Sequence, residues 1–324
     1  MRDAFREQVA GLAGQLVTPP VGEGVLPRWQ RLWVVGMGGS ASAGDFLALG
    51  VGHDREVIVI RDRVLPPLGK GDAVVCMSHS GETAETLEVW ERVGQGGVPR
   101  AAVTSGGRLA RSAQEGGAPW RGTPGELAPR AALGSLLRGV AAVVGVEPEF
   151  DWEEAARVLR KRVGPEGPGE ELERIADALT GRLPVLLPSG SGATVAARRW
   201  VSDLAENAKT PALLWDLPEA AHNQIMTAAR SAPGRDSLVV VALGSRKGKP
   251  STWEALLDCL PAHGVQPLRV EGAHPHPWIE ALELAHLGSW ASVLLAERLG
   301  VASNDLSLMD DLKRTQNRGR ETPQ

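Results

Sequence analysis

Cysteine is almost missing from this 324-residue chain: Cys76 and Cys259 stand far apart and outside any Cys-x-x-Cys pair. That excludes a disulfide framework and a zinc ribbon, and it suits a reducing cytoplasm. Lysine is scarce as well, six of 35 basic residues, and the net charge is -4 with a pI near 6.0. No basic surface for nucleic acid is expected, although a local patch can still hold a small anion. Long uninterrupted apolar runs are also lacking. The stretch 131–146 is broken by Arg138, and the leading segment MRDAFREQVAGLAGQLV carries acids and no small-residue cleavage site. Neither a membrane span nor export is expected, so the setting expected is cytoplasmic.

What is present is length, glycine and a regular alternation. A chain of 324 residues is too long for one ordinary core and suits two domains, divided here as 1–150 and 151–324. Its 39 glycines and 23 prolines are scattered among periodic apolar segments, which favours a folded chain. After a helix over 3–16, the β runs 31–35, 56–60, 73–77 and 100–103 alternate with helices. A Gly-rich stretch over 116–126, expected to lie over a ligand, leads into a helix over 129–144. Charged helices over 151–163 and 169–180 separate the halves. The alternation then resumes with strands at 184–188, 237–245 and 266–270 and a long helix over 277–299, before a polar tail after Arg314 that is expected to be loose. The fold class expected is α/β, two doubly wound parallel-sheet domains of flavodoxin type in tandem.

The most informative run is DAVVCMSHSGETAETLEVW, from Asp72 to Trp90. An apolar strand stops at Ser78-x-Ser80-Gly81-x-Thr83, and a helix follows. Such a turn sets small hydroxyls and backbone N–H groups at a helix start, where the first-turn donors and the helix dipole hold a phosphate without lysine. Helix capping alone is the plainer explanation, but three hydroxyls within six positions exceed what one cap needs. Upstream, Gly36-Met37-Gly38-Gly39-Ser40-Ala41 also follows a strand and opens a helix. It matches a dinucleotide fingerprint, with Asp62 about 20 residues on. A dinucleotide fold has no need of the second, hydroxyl-bearing turn, whereas Gly39 and Ser40 with Ser78, Ser80 and Thr83 converge on a single phosphomonoester.

GMGGS followed by SxSGxTxET resembles the sugar isomerase (SIS) domain. The run AENAKTPALLWDLPEAAHNQI over 205–225, with ELAPR over 126–130, is similar to the bifunctional phosphoglucose/phosphomannose isomerases, and the likeness spans 32–313. The resemblance implies an aldose–ketose isomerase acting on glucose 6-phosphate and mannose 6-phosphate, through a cis-enediolate, with no metal or other cofactor. It implies Glu206 as the base that carries the proton between C1 and C2, and Arg130 as the cation that steadies the enediolate. His222 would assist ring opening from the second subunit of a homodimer, supported by Lys313.

Each of these residues also has an ordinary explanation. Glu206 can pair with Lys209 in solvent, His222 can be held by Asn223, Arg130 can be a surface charge and Lys313 a tail lysine beside Asp310 and Asp311. Ala221 and Gln224 depart from the family's Asn and Glu around the His-Asn pair, and the approach to Lys313 lacks the customary proline. His274, His276, Glu283 and His286 make a weak metal pattern, for which a packed helix over 277–299 is the better expectation. The rivals to catalysis are a phosphosugar sensor without turnover and an NAD(P)-dependent oxidoreductase built on the GMGGSA turn.

Overall fold

A computed structural model describes residues 4–320, apart from 52–53, 147, 149, 165–168, 230–231, 233 and 246–250. The first half runs α1 (Ala4–Ala10), α2 (Leu12–Val17), β1 (Arg31–Gly36), α3 (Gly38–Leu49), β2 (Glu56–Ile60), β3 (Asp72–Ser78), α4 (Ala84–Gln95), β4 (Arg100–Thr104), α5 (Gly107–Glu115), β5 (Trp120–Gly122) and α6 (Leu133–Val144). After α7 (Trp152–Arg162) and α8 (Glu170–Leu179) come β6 (Leu183–Pro188), α9 (Gly190–Ala208), β7 (Leu213–Leu214), β8 (Leu238–Leu243), α10 (Thr252–Cys259), β9 (Leu268–Val270), α11 (Pro277–Leu299) and α12 (Ser307–Arg320).

Both sheets are wholly parallel, in the orders β2-β1-β3-β4-β5 and β7-β6-β8-β9. In each, the strand order reverses beside the first strand, so a crevice opens at the carboxyl ends of β1 and β3 and again at those of β6 and β8. The register sets Gly36 opposite Met77, and Ser78 opposite Thr104. Strands covered on both faces carry apolar residues at every position. Leu32 and Val34 of β1 point into the main core, while Trp33 and Val35 pack under α4 and α5.

That main core runs unbroken from the first sheet to the second, through α3, α6, α9 and α11. Gly288 lets α11 close on α9, since a Cβ there would lie 2.2 Å from the Trp200 ring, whose Nε1 donates to the Leu284 carbonyl at 2.7 Å. Among the described residues α11, rather than 131–146, is the helix long and apolar enough to cross a membrane, and 94% of its most apolar window is buried inside the molecule. It is the central helix of the core.

Four details differ from the sequence reading. The N-terminal helix splits at Gly11, and the Gly-rich stretch contains β5, which pairs Trp120 with Ala102 at the sheet edge. β7 is a two-residue edge strand. The polar tail continues as helix through Arg320.

Candidate active site

Two turns meet at the crevice of the first sheet. The first joins β1 to α3 through Met37, which is extended, and Gly38, whose φ is 51°. A Cβ at Gly39 would stand 2.6 Å from the Pro129 carbonyl oxygen, so glycine there lets the backbone of Pro129 and Arg130 rest on the start of α3. Ser40 is buried one residue further on.

In the second turn Ser78 Oγ and Thr83 Oγ1 lie 2.9 Å apart, and Gly81 N–H donates to Ser78 Oγ at 3.1 Å. Ser80 Oγ accepts from Glu82 N–H at 3.3 Å. Gly81 has φ 68°, and a Cβ there would fall 1.9 Å from the Gly106 carbonyl oxygen. Thr83 occupies the N-cap of α4 yet makes no side-chain cap bond, so the hydroxyls shape the turn rather than cap the helix. His79 anchors the turn from below: its carbonyl accepts from Ser105, and its Nε2 lies 3.2 Å from the Pro124 carbonyl. Burial pushes its imidazole below the usual histidine range.

Arg130 enters from a short 3-10 turn, Pro129–Ala131, and is buried. Its Nε donates to Asn207 Oδ1 at 2.7 Å and its Nη2 to the Ser303 carbonyl at 2.8 Å, with the Phe5 ring centroid 4.2 Å from the guanidinium carbon. The Arg130 carbonyl accepts from the Arg199 guanidinium, and Asp203 Oδ2 receives both Arg199 Nε at 3.2 Å and Ser289 Oγ at 2.6 Å. Glu206 follows Asp203 by one turn of α9 and is half-buried. Burial raises its carboxyl above the ordinary glutamate range; Arg130 opposes that rise, Asp203 adds to it, and Arg199 and Lys209 counter it. Lys209, left-handed at the C-cap with φ 54°, donates its Nζ to the Glu206 backbone carbonyl at 2.6 Å, not to the carboxylate. The surface-pair explanation of Glu206 therefore does not describe this geometry.

The other two candidates lie elsewhere on the chain. His222 ends an exposed 3-10 turn, Glu219–His222, whose Ala220 and Ala221 pack on the outer face of the second sheet. Asn223 does not hold it: that side chain bonds Glu219 and the Gln224 N–H instead. Lys313 is exposed on α12, where Asp311 pairs with Arg314. His222 and Lys313 are both exposed, on elements other than the α9 that carries Glu206 and the 3-10 turn that carries Arg130.

The weak metal pattern disperses. Glu283 takes Arg162 and the Ala273 N–H, His286 is buried beside Val9 and Trp290, His274 faces Glu154, and His276 caps α11. Among the described residues no group of three or more His, Cys, Asp or Glu side chains is arranged to hold a metal. Asp62, the acid of the dinucleotide reading, accepts from the neighbouring Arg63 N–H at 2.6 Å.

Asn207, Ser303, Phe5, Arg199 and Asp203 escaped the sequence reading as parts of the site. A signal was available for three of them, because Arg199, Asp203 and Asn207 recur every four residues and so share one face of α9. Phe5 and Ser303 carried no signal, lying about 125 and 173 residues from Arg130 in the chain.

Known proteins place this geometry in a family. Residues 170–315 match the model described as the bacterial phospho-glucose isomerase C-terminal SIS domain. The bifunctional phosphoglucose/phosphomannose isomerase of Aquifex aeolicus is 30% identical over 300 residues, covering 90% of this chain and 92% of that protein. Its namesake from Aeropyrum pernix is 31% identical over 307 residues, 90% of each. Among solved structures, a hypothetical protein from Thermus thermophilus superposes with a TM-score of 0.67 at 17% identity, over 97% of this chain and 87% of that one, a likeness of fold. With near-complete coverage of curated relatives and both turns of the crevice in place, the chain belongs to the bifunctional phosphoglucose/phosphomannose isomerase family.

Proposed function

We propose that the protein interconverts glucose 6-phosphate and mannose 6-phosphate with fructose 6-phosphate. The single observation that carries this reading is the half-buried Glu206 carboxyl beside the Arg130 guanidinium, whose own backbone rests on the phosphate turn at Gly39. In this mechanism the substrate phosphate sits between the starts of α3 and α4, held by first-turn N–H groups with Ser40, Ser78, Ser80 and Thr83. Glu206 takes the proton from C2 of the open aldose and returns it to C1, and Arg130 stabilises the negative charge of the cis-enediolate. A carboxylate raised by burial and restrained by a cation suits both halves of that transfer, since it must hold the proton and give it back. Rotation about C2–C3 of the opened sugar lets either aldose present its C2 proton to the same carboxylate.

Ring opening falls to His222, supplied by the second subunit of a homodimer, with Lys313 assisting. The exposure of both residues supports this assignment. The two sheets serve as two domains divided near residue 150, the first holding phosphate and the second supplying the base. A cytoplasmic setting suits two free thiols, Cys76 and Cys259.

The test is fructose 6-phosphate formation from each aldose phosphate, in chelator, by wild type and Glu206→Gln. Turnover by the wild type and a loss of about a hundredfold or more in the variant are expected, the scale of removing a general base. Thermal stabilisation by sugar phosphate without turnover would instead favour a phosphosugar sensor.

A further inference from the structure

We infer that His79 is a positioning residue: its imidazole ties the second phosphate turn to the segment 123–130, so that the phosphate cradle and the Arg130 guanidinium move as one body. The role it gives Arg130 rests on the isomerase reading above. The Nε2 of His79 lies 3.2 Å from the Pro124 carbonyl oxygen. A carbonyl oxygen only accepts, so Nε2 carries the proton and donates. His79 is 6% exposed, which leaves water little access to this bond. Burial pushes the imidazole below the usual histidine range, against the opposing pull of the Pro124 bond and the Glu126 carboxylate, so the donor at neutral pH is the uncharged ring.

The segment is fastened to the crevice at both ends. At its start Thr123 N–H donates to the Thr104 carbonyl at 3.0 Å, and Thr104 stands opposite Ser78 in the sheet register. Next to it Pro124 takes the His79 bond, while the His79 carbonyl itself accepts from Ser105 N–H at 2.9 Å and Ser105 Oγ at 2.5 Å. At the far end the Pro129 backbone rests on Gly39 of the first turn, and Arg130 follows directly. Between the two ends Gln8 of α1 holds the backbone: its Nε2 donates to the Glu126 carbonyl at 3.4 Å and its Oε1 accepts from Ala128 N–H at 2.7 Å. So short a segment, tied in this way and stiffened by Pro124 and Pro129, has little slack. A phosphate gripped by the two turns then fixes where Arg130 meets C1 and C2, and binding energy from the unreactive end of the sugar is used at the reacting end.

His79→Phe keeps a ring and removes the donor, whereas His79→Gln keeps an N–H donor at about the place of Nε2. The first should lower kcat about tenfold or more with KM within about threefold of wild type, because the turn still grips phosphate while Arg130 loses its fixed place. The second should recover kcat to within about threefold of wild type, which a role for the ring in packing alone would not give. A His79→Phe enzyme that folds with wild-type kcat overturns the inference. So does a rise in KM with kcat intact, or a loss of kcat that His79→Gln shares equally. Hydrogen exchange gives a readout that needs neither turnover nor a variant: saturating inorganic phosphate should slow the wild-type backbone amides over 126–132 at least about threefold. Exchange there that phosphate leaves unchanged overturns the inference, even where His79→Phe does not fold. A wild type that shows this slowing but turns over neither aldose defeats the isomerase reading and leaves the tie between turn and segment standing.

Discussion

His286 shows how far burial governs single residues here. It lies wholly inside α11's core contacts, with Trp290 Nε1 at 3.1 Å and the Val9 carbonyl at 3.2 Å from its Nε2, and burial pushes its imidazole down to about 4. The unfolded chain protonates the same side chain near 6.5. Between these values the unfolded state binds a proton that the folded state refuses, so this residue makes stability rise with pH across that window and fall on acidification. The full effect is about 3 kcal/mol. The melting temperature should therefore drop from pH 7 to pH 5, and the drop should shrink in His286→Gln. An unchanged pH dependence in the variant would assign the acid sensitivity to other groups. The same burial explains why the sequence could offer His286 as a metal ligand but not reject it: type and spacing are visible in a chain, solvent exposure is not.

At the scale of elements, the turn between β3 and α4 is the part most legible in advance. The change from an apolar run to helical spacing, with Gly81 and three hydroxyls between, is a local property of the residues 72–90. Gly81 adopts φ 68° under the Gly106 carbonyl, so Gly81→Ala should push the turn off β4's loop. The expected result is a rise of at least about tenfold in the KM for sugar phosphate, with a smaller change in kcat, measured by steady-state kinetics. A variant with unaltered KM would remove this turn from phosphate binding. β5 and β7 were not legible, because three and two residues are too few to show a period; each exists only where a neighbouring strand offers an edge. α12 was legible only in part. Its Leu308, Met309 and Leu312 are exposed, while the residues after Arg314 read as a polar tail.

At the scale of the whole molecule, the proposed site draws on residues 40, 78, 130 and 206, with 222 and 313 exposed elsewhere on the chain. If the second subunit supplies His222, then Glu206→Gln and His222→Ala enzymes, each inactive alone, should regain activity when unfolded and refolded together. Half of randomly paired dimers would be mixed, each with one intact site, which gives roughly a quarter of wild-type activity. No recovery on mixing would place His222 and Glu206 of one chain in the same site. The sequence by itself determined the parallel α/β class and the two glycine- and hydroxyl-bearing turns, because periodicity and turn chemistry are local, while its resemblance to a family supplied the candidate base, cation and ring-opening residues. Only the tertiary structure decided that Arg130 is held by Asn207, Ser303 and Phe5, and that Glu206 is half-buried beside it. Those contacts join segments more than 75 residues apart, and what brings them together is the burial of α9 and α11 in one continuous core, which no local pattern records.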